Sequence, residues 1–178
     1  MNIISHANKK REAALILLID FKKAFDSIDH TFIDQSLKLF GFGKNIGKWI
    51  STFFNKRTAF ILSGGHQSKN ITLHQGVPQG DILSPYIFLL AVEVLLIKIN
   101  HSMNIEGIRY AKTESRSETF ADDTTIFIKR TESNLRNCLK YLKLFAKACG
   151  LQCIIGKTKV IPVGDFTEHG VCDDQHLV

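Results

Sequence analysis

A short, uninterrupted apolar run, Leu15-Ile16-Leu17-Leu18-Ile19, constrains the fold of this chain more than any other segment. Such a run indicates a strand that is buried on both faces, because a half-exposed strand alternates apolar and polar residues. The run ends at Asp20, and a carboxylate at the end of a buried strand is costly unless it has a partner. The sequence therefore predicts a central strand with a chemically important residue at its end.

Helical spacing and turn residues divide the rest of the chain. Apolar residues recur at helical spacing in 29–40, 46–54 and 135–149, the last with a cap near Ser133 and an end at Gly150. A further helix is expected from an N-cap at Ser84, with Pro85 in its first turn, to about Ile99. Strands are predicted at 58–63, 67–73, 105–110, 119–121, 124–128 and 159–163, with an exposed charged turn at 112–118. Because hairpin-linked strands alternate with helices, we expect an α+β fold with helices packed on a largely antiparallel sheet.

Length and composition exclude several classes of protein. The chain has 178 residues, of which 44% are hydrophobic, which suits one domain and excludes a disordered or collagen-like chain. Its most apolar stretch, 86–99, contains Glu93 and Lys98 and is too short to span a membrane, and no signal peptide opens the chain. The four cysteines are interpreted as reduced thiols of an intracellular protein, with nucleus and cytoplasm not distinguished. The net charge of +6 is compatible with a polyanionic partner.

Three carboxylates suggest a metal site. Asp20 ends the buried strand, and Asp122 and Asp123 lie in a predicted turn between two strands. If these strands are neighbours, the carboxylates converge at one edge of the sheet, where their repulsion requires a cation such as Mg²⁺ or Mn²⁺. Two such ions about 4 Å apart stabilise in-line phosphoryl transfer. The alternative is that the pair is an ordinary turn and that Asp20 caps a helix.

Four segments, in order, resemble the catalytic motifs of reverse transcriptases of non-LTR (LINE-type) retrotransposons. The first is the segment from Leu17 to His30, LLIDFKKAFDSIDH, and the second is QGVPQGDILSPYIF, from Gln75 to Phe88. The third is Phe120-Ala121-Asp122-Asp123, whose first position is more often tyrosine in the family, and the fourth combines Gly150-Leu151 with Lys157-Thr158. The family usually has asparagine where this chain has Ile154, which puts the local geometry around Lys157 in question.

The resemblance implies a right-hand polymerase palm with truncated fingers and no thumb, over residues 1–164, and leaves residues 165–178 unassigned. It implies an RNA-directed DNA polymerase core that extends a DNA primer on an RNA template with deoxynucleoside triphosphates and two Mg²⁺ ions, or Mn²⁺. The alternative is an inactive, nucleic-acid-binding remnant of such an enzyme.

The resemblance also implies roles for individual residues. Asp20 and Asp122 would be the principal metal ligands, Asp123 a less essential carboxylate, and the backbone oxygen of Phe21 a further ligand. Phe25 matches the steric gate that excludes a 2′-hydroxyl; the alternative for Phe25, core packing next to a strand end, is compatible with that role.

Three other residues take part in the implied chemistry. Gln79 and Gly80 match the segment that lies against the incoming nucleotide and the template. Lys157 matches a lysine that protonates the leaving pyrophosphate, with a solvated surface lysine as the alternative.

Two further patterns have competing interpretations. The segment from Lys44 to Arg57 mixes basic and aromatic residues, as nucleic-acid surfaces do, but its aromatics at helical spacing are more simply core. A zinc module built from Cys149, Cys153 and later His and Cys residues is a third hypothesis, against which Cys149 is predicted to lie on the apolar face of a helix.

Overall fold

The predicted central strand is present and is hydrogen-bonded on both sides. In a computed structural model, which describes residues 10, 12–54, 57–110, 113–120, 123–153 and 158–164, β1 (Ala14–Ile19) lies between β10 (Asp123–Lys129) and β12 (Lys159–Val163). Both pairings are antiparallel, with Ile19 opposite Thr124 and Leu18 opposite Lys159. With β9 (Ser117–Phe120) outside β10, the sheet has the order β12-β1-β10-β9.

The remaining elements are short strands and five helices among the described residues. The helices are α1 (Ala24–Ser27), α2 (His30–Leu39), α3 (Lys44–Phe54), α4 (Ser84–Asn100) and α5 (Glu132–Cys149). The strands are β2 (Phe21–Lys22), β3 (Thr58–Ala59), β4 (Leu62–Ser63), β5 (His66–Gln67), β6 (Ile71–Thr72), β7 (Ile108–Tyr110), β8 (Thr113–Ser115) and β11 (Gln152–Cys153).

One face of the sheet is covered by helices. Alternate residues of β1, Leu15, Leu17 and Ile19, form one buried cluster with Ile126 and Ile128 of β10 and with the apolar sides of α2, α4 and α5. Burying each large aliphatic side chain contributes about 1.5–3 kcal/mol. The helix α4 is apolar on nearly every side because α2 and α5 flank it.

The other face of the sheet is covered only in part. At the end where β1 begins, Ala14, Ile16 and Phe127 form a second, smaller cluster with Ile108 and Val163. Toward the end of β1, Leu18 and Ile161 of the same face are 37% and 42% exposed. The sheet therefore presents an open surface next to the C-terminal end of β1.

Two of the predicted helix caps are wrong by a residue or two. The helix α4 begins at Ser84 itself, with Leu83 as the capping residue, and the Ser84 hydroxyl is buried with no hydrogen-bond partner among the described residues. Thr131, not Ser133, caps α5, and its side chain accepts a hydrogen bond from the Asn134 amide. Several polar residues lie near the start of each helix, and any of them could act as the N-cap. The turn that precedes the helix decides which residue takes that position.

The prediction of an exposed turn at 112–118 is also wrong for the described part of that segment. Residues 113–115 form β8, which pairs with β7, and 117–120 form β9, which pairs with β10. Polar contacts hold these strands: Glu114 binds Arg116 at 3.0 Å, and Arg116 donates to the Ser102 carbonyl at 2.8 Å. Charged strands of this kind carry no alternating apolar signal.

Asn134 joins the helical layer to the sheet. Its side chain is 4% exposed; the amide donates to the Lys129 and Glu106 carbonyls at 3.1 and 3.3 Å, and its oxygen accepts from the Glu106 amide at 3.1 Å. Within the described part of the chain, no helix has the length and apolar character needed to cross a membrane.

Candidate active site

The central strand and its neighbour bring two of the predicted carboxylate positions to one end of the sheet. Asp20 follows Ile19, the last residue of β1 paired with β10, and Asp123 precedes its partner Thr124. Asp20 is partly buried, and Asp123 begins β10 opposite Phe120. The expectation that the strands carrying these carboxylates are neighbours is therefore confirmed. Asp122 lies outside the described residues.

Phe21 continues the chain past Asp20 in a separate two-stranded pairing. It lies opposite Cys153 of β11, and its ring is 5% exposed. The ring packs edge-on against Phe88 and Phe145, with centroids 6.4 and 6.2 Å away. Because the ring is held in the core, the backbone at residue 21 is fixed beside Asp20.

Phe25 lies on the short helix α1, just beyond a tight turn. Lys23 has a left-handed backbone with φ of 48°, and the Asp26 amide donates to its carbonyl at 2.8 Å. This turn directs the Phe25 ring onto Phe88, with centroids 5.0 Å apart, while the side chain remains partly exposed. A ring held by the core on one side presents a rigid surface on the other.

The loop that carries Gln79 and Gly80 is docked on the segment that follows β1. The Gly76 amide donates to the Ile28 carbonyl at 2.8 Å, and the Val77 amide donates to the Phe25 carbonyl at 2.6 Å. Two distant stretches of sequence are therefore joined through their backbones, which brings the first and second motifs together.

Two side chains that the sequence analysis did not single out secure the same loop. The ring of His30 donates from Nε2 to the Gly76 carbonyl at 2.7 Å, and Arg57 donates to that carbonyl at 3.4 Å. The His30 ring also stacks on Phe54, with centroids 4.6 Å apart. The presence of His30 in the first motif was the only available signal, because its acceptor lies 46 residues away in sequence.

Gln79 is held by a third such residue. Its side-chain amide donates to the Asp26 carboxylate at 3.1 Å. Gln79 and Gly80 are both exposed, and Gly80 has a left-handed φ of 87° with nothing within 4 Å of the position of a Cβ. The end of the loop is therefore open to solvent but fixed in orientation by Asp26.

Lys157 lies outside the described residues. The described chain resumes at Thr158 and continues into β12, where Lys159 lies opposite Leu18. The prediction for Lys157 stays a prediction.

The basic and aromatic segment on α3 was interpreted either as core or as a nucleic-acid surface, and the structure supports the core interpretation for only one side of the helix. Ile50 and Phe54 are buried, as a core interpretation requires. Trp49 is 55% exposed and Ile46 is 45% exposed, so the core interpretation is wrong for this side of the helix. Trp49 packs edge-on against Phe53, with centroids 5.1 Å apart.

Asp20 supplies carboxylate oxygens and Phe21 a backbone carbonyl oxygen, the ligand type that Mg²⁺ and Mn²⁺ prefer, so these two donors fit such ions. Among the described residues, which leave out Asp122, no group of three or more acidic, His or Cys side chains is close enough to hold a metal. Cys149 is buried, and its sulfur accepts a hydrogen bond from the Leu151 amide, an environment typical of a core cysteine. The other residues of the zinc hypothesis lie outside the described side chains.

Comparison with known proteins gives consistent matches. A model of the family described as "Reverse transcriptase (RNA-dependent DNA polymerase)" matches residues 1–167. The chain is 26% identical over 170 residues to a retrovirus-related Pol polyprotein from the type-1 retrotransposable element R2 of Popillia japonica, covering 95% of this chain and 23% of that protein. It is 27% identical to the polyprotein from the type-2 element R2DM of Drosophila melanogaster, covering 84% and 14%.

A third relative is the RNA-directed DNA polymerase from the mobile element jockey of Drosophila funebris, which is 24% identical over 74% of this chain and 14% of its own length. This chain thus spans less than a quarter of each of these relatives.

A solved structure shares the fold. Telomerase from Candida tropicalis, in complex with a fragment of telomeric RNA, superposes with a TM-score of 0.67 at 15% identity, over 90% of this chain and 28% of that chain. The likeness supports the predicted α+β architecture of a polymerase palm.

Proposed function

The chain belongs to the reverse transcriptase family, and we propose that it forms the palm of a non-LTR retroelement polymerase that extends a DNA primer on an RNA template. The observation that carries this proposal is the position of Asp20 at the end of β1, beside Asp123 at the start of the adjacent antiparallel strand. A structural role for Asp20 does not require a second carboxylate beside it, whereas a cation site does.

In this proposal the carboxylates of Asp20 and Asp122 hold two divalent ions, with the Phe21 carbonyl and Asp123 as further oxygen donors. When bound, two Mg²⁺ ions stabilise the attacking and leaving oxygens of a phosphoryl transfer. The core packing of the Phe21 ring fixes its carbonyl beside Asp20. Lys157 is proposed to donate a proton to the departing pyrophosphate.

The docked loop positions the nucleotide in this scheme. Because Asp26 holds the Gln79 amide and His30 holds the Gly76 carbonyl, the loop presents its backbone and the Gln79 side chain in a fixed orientation. Phe25, held against Phe88, forms the wall that excludes a ribonucleotide 2′-hydroxyl. The open sheet surface at Leu18 and Ile161 lies next to this site and is available to the primer–template.

Primer extension on an RNA template tests the proposal. Asp20→Asn and Asp122→Asn are expected to lower the rate on the order of 10²-fold or more, because each removes a negative oxygen donor where charge develops. Asp34→Asn is the matched control, since Asp34 is a surface carboxylate of α2 paired with Lys38. Equal rates in the unsubstituted chain and both site variants would refute the assignment.

Binding and catalysis are separated by a second measurement. Salt-sensitive binding of the primer–template without extension, in Mg²⁺ and in Mn²⁺, would instead support an inactive nucleic-acid-binding remnant. Ribonucleotide discrimination is a further readout, since it depends on Phe25 and not on the metal ligands.

A further inference from the structure

The outer face of α5 carries a line of positive charge that the proposed polymerase site does not use. The helix has four basic residues, Arg136, Lys140, Lys143 and Lys147, and one acidic residue, Glu132. Its surplus of three positive charges is half of the chain's formal net charge of +6. This one helix therefore carries half of the protein's net positive charge.

The four cations form a single narrow stripe. At 3.6 residues per turn, their spacings of four, three and four residues place them within an arc of about 60°. The stripe extends over roughly 16 Å along the helix axis. The buried side of α5, which includes Leu142 and Phe145, lies opposite, so the stripe points to solvent.

Little in the described structure neutralises the stripe. Arg136 pairs with Glu132 one turn earlier, and the described residues place no carboxylate within ion-pair distance of the three lysines. All four cations are exposed. They line a shallow surface groove together with Leu139 and Leu144.

The stripe lies on the helical side of the sheet, and the open sheet surface at Leu18 lies on the other side. The helix α5 covers the face of the sheet that carries Leu15 and Leu17, whereas the open surface at Leu18 is on the opposite face. The helical layer between them is about 10 Å thick. A nucleic acid seated on the open face therefore contacts a different face of the protein from the one that carries the stripe.

We propose that the cationic stripe of α5 binds the phosphate backbone of a second stretch of nucleic acid, outside the primer–template site. Each strand of a duplex carries one phosphate per about 3.4 Å of its axis, so roughly five phosphates of one strand fall within the length of the stripe. Leu139 and Leu144, which complete the groove, are aliphatic and offer neither stacking surfaces nor base-reading groups, so we expect a contact that is independent of sequence. A protein partner is disfavoured because lysines are depleted in the cores of protein interfaces.

Salt-dependent binding tests this proposal without nucleotides or divalent ions, so loss of polymerase activity does not affect the result. The probes are a duplex RNA of about 20 base pairs and a duplex DNA of the same sequence and length, which distinguish the two sources of phosphate. The test variant is Lys140→Gln/Lys143→Gln/Lys147→Gln. The matched control is Lys38→Gln/Lys69→Gln/Lys129→Gln, which removes three exposed lysines elsewhere.

The test variant is expected to make the slope of log affinity against log salt shallower by about 2–3 for at least one duplex, while the control changes it by less than 1. Cross-linking of the bound duplex to peptides of α5 would support the same conclusion. Equal slopes for the two variants would overturn the proposal. Polyglutamate serves as a probe for an acidic protein partner. The proposal would also be overturned if the test variant lost binding to polyglutamate but showed the same salt slope as the control variant on both duplexes, because the stripe would then bind an acidic protein.

Discussion

Gly76 offers a test of how tightly the second motif is docked on the first. Its φ is +84°, and a Cβ added there would lie 2.8 Å from the Asp26 carbonyl oxygen and 3.0 Å from the Asp26 carbonyl carbon. Gly80, four residues later in the same loop, has a similar φ of +87° but nothing within 4 Å. Gly76→Ala and Gly80→Ala therefore share the backbone penalty and differ only in crowding.

The expected magnitudes follow from these two terms. A left-handed backbone costs a non-glycine residue roughly 1–2 kcal/mol, which is the whole effect expected for Gly80→Ala. Gly76→Ala adds about 1–3 kcal/mol for crowding against backbone, giving a total of about 2–5 kcal/mol. The loop cannot move away from Asp26 without losing hydrogen bonds, because the Gly76 and Val77 amides donate to the segment that follows β1.

Urea denaturation of the unsubstituted chain and of both variants measures the free energies of unfolding. The reasoning predicts that Gly76→Ala loses more stability than Gly80→Ala by at least about 1 kcal/mol. If the two variants lost the same free energy of unfolding, the close approach of Gly76 to Asp26 would make no difference to stability. The docking of the second motif on the first, as described above, would then be refuted.

Three further predictions concern single side chains. Phe25→Ala is expected to raise ribonucleotide incorporation relative to deoxynucleotide incorporation at least about tenfold in a primer-extension assay, and an unchanged ratio would contradict the gate. Asn134→Ala is expected to cost about 2–4 kcal/mol of unfolding free energy, because it leaves buried backbone groups without partners. Ser84→Ala is expected to cost less than about 1 kcal/mol, because it removes a buried hydroxyl that has no partner among the described residues. The hydrogen bond from Arg116 holds the pKa of Glu114 below its ordinary value of 4.5. The Glu114 carboxylate therefore stabilises the fold above that pH, and this stabilisation is lost as the pH falls through the lowered folded-state pKa. Glu114→Gln should therefore flatten the loss of stability in acid, and a parallel pH profile in denaturation experiments would exclude this role.

Much of the fold could be predicted because a buried helix or strand face requires apolar residues at a regular spacing in the sequence. The apolar run 15–19 predicted a strand buried on both faces, which is right except at Leu18. Helical spacing located α2, α3 and α5 to within a few residues, and the Ser84-Pro85 signal located α4. The strand residues within 113–118 were missed because β8 and the first half of β9 are held by polar and charged contacts that leave no such period, whereas the strand predicted at 119–121 overlaps β9. Caps were misplaced where several polar residues lay close to a helix start.

The sequence alone also specified which carboxylates and which loop to examine, since motifs are short, local and chemically distinctive. It could not show that His30, Arg57 and Asp26 hold that loop, because a hydrogen bond between residues far apart along the chain leaves no local pattern.

Local sequence thus determined the central strand, the helices and the identity of the motif residues, because each depends on neighbours within a few positions. Only the tertiary structure decided that the Asp20 end of β1 lies against the start of β10, that Trp49 is exposed, and that the cations of α5 face solvent. These features depend on which faces pack together, and that choice is made by the summed burial of the whole chain and not by any one segment.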